Sequence, residues 1–201
     1  MSIEIEVKFR VADRNDLIER VVAIGAERIS EIVQTDTYYS HPARDFAVTD
    51  EALRLRTGGG QTDLTFKGPK RGGPTKTREE IEVVLAGTPG SEEQMTRLLS
   101  RLGFRPLITI AKSRVLFQVT MNGKRMQVAV DEVQSLGSFA EVETIAQTDA
   151  EVPDAQRVVL DLSRALRLTD VEPRSYLRMA LERHDRGPAV TVTRPNSAGT
   201  T

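Results

Sequence analysis

The 201-residue chain has no cysteine and no tryptophan, and aromatic residues make up only 4% of it. Without cysteine there is no disulfide framework, no thiolate metal site and no Cys nucleophile. So few aromatic rings make a poor platform for stacking the bases of single-stranded nucleic acid, and no nucleic-acid partner is expected. Neither sign of charge dominates: 28 Lys and Arg stand against 29 Asp and Glu, for a net charge of −1. Any anion site must therefore come from a local concentration of cations. No apolar run approaches the ~20 residues that span a bilayer. Ile3-Glu4-Ile5-Glu6 has neither the apolar nor the basic character of a signal peptide. These absences point to a cytoplasmic protein with no membrane partner. His41 and His184 are too isolated to suggest a zinc site or a catalytic triad and read as surface residues.

What the chain does have is period-two patterning. Ile3, Ile5, Val7 and Phe9 alternate with Glu4, Glu6 and Lys8, which predicts a strand with one apolar and one charged face. Leu17, Val21 and Ile24 recur at helical spacing, with Asp13 or Asn15 as cap and Gly25 as stop. A loop around His41, Pro42 and Asp45 leads to strands predicted over 52–57, 63–67 and 77–85, parted by Gly58-Gly59-Gly60 and by Gly68 through Pro74. Ser91-Glu92-Glu93-Gln94 reads as the capping box of a second helix, whose stripe Met95, Leu98, Leu99 and Leu102 is expected in the core before Gly103 ends it. Strands follow at 108–120 and 125–132 about an Asn122-Gly123 hairpin turn, then at 139–145. Val158, Leu162 and Leu166 mark a third helix, and 176–181 a short fourth. Residues 185–201, rich in Gly, Pro, Ser and Thr, read as a disordered tail behind one domain of residues 1–184. Strands paired with flanking amphipathic helices make the fold class α+β, built on an antiparallel sheet.

Nearly every predicted strand carries ionisable groups two residues apart, hence on one face roughly 6.6 Å apart. Glu4, Glu6 and Lys8 do so, as do Arg54 and Arg56, then Arg78, Glu80 and Glu82, then Lys112 and Arg114, then Glu141 and Glu143. Lys67 and Asp131 stand singly on their strands. This alternation leaves two arrangements open: a wet open sheet, or a closed one whose charged faces meet in a lumen. An empty lumen of this kind is costly, because like charges crowded together oppose one another's ionisation. A polyanion and a divalent cation relieve that cost, the cation suiting hard carboxylate oxygens as Mg²⁺ or Mn²⁺ does. Gly68-Pro69-Lys70-Arg71-Gly72-Gly73 is not a P-loop, since Pro74 stands where that motif needs Lys and no strand-loop-helix context surrounds it.

The ordered blocks resemble the CYTH superfamily of triphosphate tunnel metalloenzymes, and within it the class IV adenylate cyclase branch. Glu4-Ile5-Glu6-Val7-Lys8-Phe9 is similar to its Glu-x-Glu-x-Lys opening strand. Gln34 through Tyr39, Glu51 through Arg56, Leu64 through Lys70 and Thr77 through Glu82 follow in order. Lys112-Ser113-Arg114, Val130 through Val133, Leu136 through Glu143 and Ser175-Tyr176-Leu177 complete the series, so the resemblance covers 2–184.

The resemblance implies a closed antiparallel β-barrel of about eight strands with helices outside, forming a charged tunnel that takes a triphosphate end-on. Glu4, Glu6, Glu141 and Glu143, with Asp131 assisting, would hold Mg²⁺ or Mn²⁺. Lys8, Lys67 and Arg114 would act in catalysis, and Arg54, Arg56, Arg78 and Lys112 in substrate binding. Lys124 and Arg125, beside a turn, read as standing at the tunnel mouth or as solvated, the second being preferred. The implied reaction is conversion of ATP to cyclic AMP and pyrophosphate. The alternatives are hydrolysis of inorganic triphosphate, thiamine triphosphate or a nucleoside triphosphate, and a non-catalytic polyphosphate-binding module. Members of the superfamily commonly form dimers, so a homodimer is compatible with the resemblance.

Overall fold

The computed structural model describes residues 3–85 and 90–186. Eight antiparallel strands close into a barrel in the order β1-β5-β4-β3-β2-β6-β7-β8. They are β1 (Ile3–Arg10), β2 (Glu27–Ser40), β3 (Ala52–Gly58), β4 (Gln61–Lys67), β5 (Lys76–Leu85), β6 (Arg105–Met121), β7 (Lys124–Val133) and β8 (Gly137–Ala146). The helices are α1 (Arg14–Ala23), α2 (Phe46–Thr49), α3 (Ser91–Arg101), α4 (Val152–Ala165) and α5 (Tyr176–Arg186). None of the described helices is long and apolar enough to cross a membrane.

The period-two pattern of β1 sorts its side chains to the two sides of the wall. Ile3, Ile5, Val7 and Phe9 point outward into the main core with Leu17 and Val21 of α1 and Val158 and Leu162 of α4. Glu4, Glu6 and Lys8 face the lumen instead. Closure pairs the first strand with both β5 and the last strand, β8, with Glu6 opposite Glu143 and Lys8 opposite Glu141. The β6–β7 hairpin turns on Asn122 and Gly123, both at positive φ (51° and 75°), as a tight primed turn requires. Asp13 caps α1 by accepting hydrogen bonds from Asn15 and Asp16 amides.

Three expectations from the sequence need correction. Ahead of the expected loop around His41, Pro42 and Asp45 runs a 14-residue strand, β2, left out of the sequence reading, whose outward positions are largely polar, so that no apolar face announces it. Ser91 is not a cap: Gly90, in the left-handed region at φ 88°, occupies the N-cap of α3, and Ser91 is its first helical residue. Of the α3 stripe, Leu99 is buried with Tyr39 and Leu55, whereas Leu98 and Leu102 are 51% and 59% exposed. The helix lies on the barrel by one edge only. At the C-terminal end, α5 continues through Asp185 and Arg186. The rest of the expected tail lies outside the described residues.

Near the start of α5, Tyr176 and Met179 join Tyr38, Ala52, Ile110, Val133 and Phe139 in a second buried cluster. This cluster ties α5 to β2, β3, β6, β7 and β8, and so positions the helix against the lumen.

Candidate functional site

The lumen is a cavity of about 960 Å³. It is lined by Glu4, Glu6, Lys8, Arg54, Arg56, Lys67, Arg78, Lys112, Arg114, Glu141 and Glu143. Side chains from β1, β3, β4, β5, β6 and β8 thus converge on one cavity. Lys124 and Arg125 also line it, in keeping with the tunnel-mouth reading rather than the preferred solvated one. They sit at the β6–β7 turn with the side chains at its rim.

The acidic groups fall into separate sets. Among the described residues, Glu4, Glu6 and Glu143 each offer a carboxylate oxygen within 4.8 Å of the others. Burial, opposed by Lys67 and reinforced by Glu80, raises the Glu4 pKa. Burial and the neighbouring Glu4 carboxylate push Glu143 up to about 8. Such a trio of carboxylate oxygens, with Glu4 and Glu143 both held back from ionising, is the donor chemistry that a hard divalent cation satisfies. Its residues therefore fit a Mg²⁺ or Mn²⁺ ion.

Asp131 and Glu141, expected in the same metal set, are engaged elsewhere. Arg114 donates to both oxygens of Asp131, Nε to Oδ1 at 2.7 Å and Nη2 to Oδ2 at 2.6 Å. The same Nη2 reaches Glu141 Oε2 at 2.5 Å. Burial alone would raise the Glu141 pKa, but Arg114 and Lys8 hold it well below the usual carboxylate range. Asp131 is fully buried and also accepts a hydrogen bond from the Tyr176 hydroxyl at 2.9 Å. Its geometry is that of a support for Arg114.

The cations are interleaved with these carboxylates around the lumen. Lys67 lies 3.3 Å from Glu4 and pairs with Glu80. Burial and Lys76 lower the Lys8 pKa to about 7. Burial, Arg114 and Arg56 do the same for Lys112. Arg54 Nη2 donates to Thr65 at 3.0 Å, and Arg78 Nε lies 3.8 Å from Glu4. The Nε atoms of Arg54 and Arg78 and the Gln34 Oε1 are buried without a hydrogen-bond partner. Orphaned polar atoms in a buried position call for a ligand or water.

Two lumen groups were missed by sequence reasoning. Asp36 accepts two bonds from Arg56, at 2.6 and 2.8 Å, and lies 3.3 Å from Lys112 Nζ. Burial opposes its ionisation, but Lys112, Arg56 and Arg54 together hold its pKa well below normal. The signal available was the Thr- and Tyr-rich run of residues 34–40, a composition suited to a strand, with Gln34, Asp36 and Tyr38 on one face. Lys76, one position before the strand predicted from residue 77, continues the Arg78–Glu80–Glu82 face and bonds Glu6 at 2.8 Å. Glu80 pairs with Lys67, and Glu82 lies 3.9 Å from Arg54. His41 is partly buried, its Nδ1 accepting bonds from the amides of Ala43 and Arg44 at 3.0 and 2.9 Å.

An eight-stranded closed barrel with a lumen of opposed carboxylates and cations defines a tunnel-type protein. The chain matches the CYTH domain over residues 2–176 and belongs to that family. It is 32% identical to "Putative adenylate cyclase MJ0240" of Methanocaldococcus jannaschii over 88% of this chain and 98% of the relative. It is 27% identical to adenylate cyclase CyaB of Aeromonas hydrophila, over 86% of each chain. Among solved structures, the PH1819 protein of Pyrococcus horikoshii OT3 superposes with a TM-score of 0.78 at 35% identity, over 90% of this chain and 99% of that one.

Proposed function

We propose that this CYTH protein is a divalent-metal-dependent enzyme that draws a triphosphate into its barrel, converting ATP to cyclic AMP and pyrophosphate. The observation that carries the reading is the convergence of Glu4, Glu6 and Glu143 within 4.8 Å inside a lumen walled by Lys and Arg. Anion capture alone needs no such carboxylates. A cavity of about 960 Å³ is near the upper end of the ~300–1,000 Å³ typical of organic ligand sites. It is more room than a bare triphosphate requires, which supports a substrate with an organic group. The names of the two curated relatives favour the cyclase reaction among those open to such a site.

In this reading Glu4, Glu6 and Glu143 hold Mg²⁺ or Mn²⁺. The bound ion supplies charge neutralisation at the phosphate oxygens. Arg54, Arg56, Arg78 and Lys112 bind the polyphosphate and align it for in-line attack at the α-phosphorus. Lys8, Lys67 and Arg114 face the charge that develops in the transition state, and being already fixed by the barrel they need no reorganisation to meet it. Asp131 and Glu141 hold the Arg114 guanidinium in orientation. Asp36 does the same for Arg56, leaving Arg54 Nε free for substrate.

The test is a product assay. Purified protein is incubated with ATP and Mn²⁺ or Mg²⁺, and separately with inorganic triphosphate. Cyclic AMP with pyrophosphate is expected from ATP. Orthophosphate without cyclic AMP makes the protein a triphosphatase, and tight binding without turnover makes it a binding module.

A further inference from the structure

Tyr176 is the first residue of α5 and lies 45 positions from the nearest acidic group it touches, yet it is buried within the tunnel wall. Its hydroxyl donates to Asp131 Oδ2 at 2.9 Å, the oxygen that also accepts from Arg114 Nη2. Its ring packs edge to face on Phe139 with centroids 5.2 Å apart. The Nζ of Lys8 lies 3.9 Å from the ring centroid, and that of Lys112 5.3 Å. One side chain therefore touches two lysines directly and an arginine through one carboxylate, and those three cations come from β1 and β6.

The chemistry of that contact matters. Lys112 already pairs with Asp36 at 3.3 Å, and a further carboxylate beside Lys8 and Lys112 would cancel more of their charge. An aromatic face attracts an ammonium through its quadrupole while carrying no net charge. The ring thus holds the lysines in place without adding a negative charge that would repel an incoming anion. The hydroxyl adds a second constraint, since Asp131 can present Arg114 in only one plane once both of its oxygens are engaged.

We propose that Tyr176 is a positioning residue, holding Lys8 and Lys112 through its ring and Arg114 through Asp131, so that the phosphate-binding wall is complete only with α5 docked. This rests on the reading of the lumen as a triphosphate site. It adds a role for a residue outside the barrel strands and makes the C-terminal helix part of the binding machinery.

The ring contribution is tested on the full chain with Tyr176→Phe and with phenylalanines carrying one, two and three fluorines incorporated at position 176. Fluorination drains the ring quadrupole at nearly constant size, so folding is preserved and only the attraction to the ammonium groups changes. The probe is the bis-methylene analogue of inorganic triphosphate, which resists hydrolysis, titrated calorimetrically with Mg²⁺ present. Affinity is expected to fall stepwise with fluorine count, by about tenfold across the series, while the melting temperature stays constant. A flat series overturns the proposal and leaves the triphosphate reading standing. Wild-type protein that does not bind the analogue overturns the reading itself. Tyr176→Phe, which keeps the ring and loses the hydroxyl, is expected to lower turnover more than it weakens binding. Equal losses in both contradict the part assigned to Asp131.

Discussion

Arg114 and Asp131 meet through two parallel hydrogen bonds of 2.7 and 2.6 Å inside the barrel wall, across the β6–β7 register that sets them side by side. A buried pair of this kind is not in itself a large source of stability, because desolvation offsets much of its Coulomb gain. Removing one partner is different, since the other charge is left buried and poorly compensated. Asp131→Asn is expected to lower unfolding free energy by about 3 kcal/mol in urea denaturation. It should also reduce turnover at least tenfold, because Arg114 is no longer held in one orientation.

The Glu4, Glu6, Glu143 cluster makes a pH-dependent prediction. Glu143 ionises at about 8 in the folded protein against an ordinary 4.5. The folded state therefore keeps a proton that the unfolded state has released. Without metal, this group favours folding most below about pH 4.5, and the advantage is lost as pH rises toward 8. Glu143→Gln should flatten that part of the melting-temperature profile, and saturating Mg²⁺ should raise the wild-type melting temperature most at the alkaline end. A Glu143→Gln profile as steep as wild type would place the titration elsewhere.

For turnover, Glu6→Gln and Glu143→Gln are each expected to abolish activity while leaving the circular dichroism spectrum unchanged, and EDTA should do the same to wild type. Lys67→Ala is expected to cost about 10²- to 10³-fold in kcat, the scale for losing one preorganised donor at a developing negative charge. A change in KM alone would assign Lys67 to ground-state binding.

The outer layers make a contrasting pair. Leu162 is fully buried against β1 and β8 residues, and Leu162→Ala should destabilise by about 2–5 kcal/mol. Leu102 is 59% exposed, and Leu102→Ala should shift stability by about 0.5 kcal/mol or less.

The sequence was most readable where a strand has one apolar and one charged face. β1 is the plainest case: Ile3, Ile5, Val7 and Phe9 supply the core and Glu4, Glu6 and Lys8 the lumen, so alternation reveals both at once. β2 was invisible by the same test, because the middle of that strand lies beneath no helix and polar side chains serve on both sides. Its Asp36 went with it. Lys67 and Arg114 could be placed on the inner face by period, but period cannot say which carboxylate a cation meets. That depends on register across the closed barrel, where Asp131 lies directly opposite Arg114 while Glu143 faces Glu6. The metal set read from the family pattern therefore divides, with three carboxylates clustered and two committed to Arg114. Leu98 and Leu102 show the converse limit: an amphipathic stripe states which face is apolar but not how much barrel there is to cover it.

The most direct measurement is a crystal structure of the protein with Mn²⁺ and a non-hydrolysable ATP analogue, using the anomalous signal of manganese to locate the ion. The expected result is a manganese peak among Glu4, Glu6 and Glu143, with the polyphosphate inside the barrel against Arg54, Arg78, Lys112 and Arg114. Manganese and phosphates bound on the outer surface, with the lumen carboxylates holding only water, would contradict it.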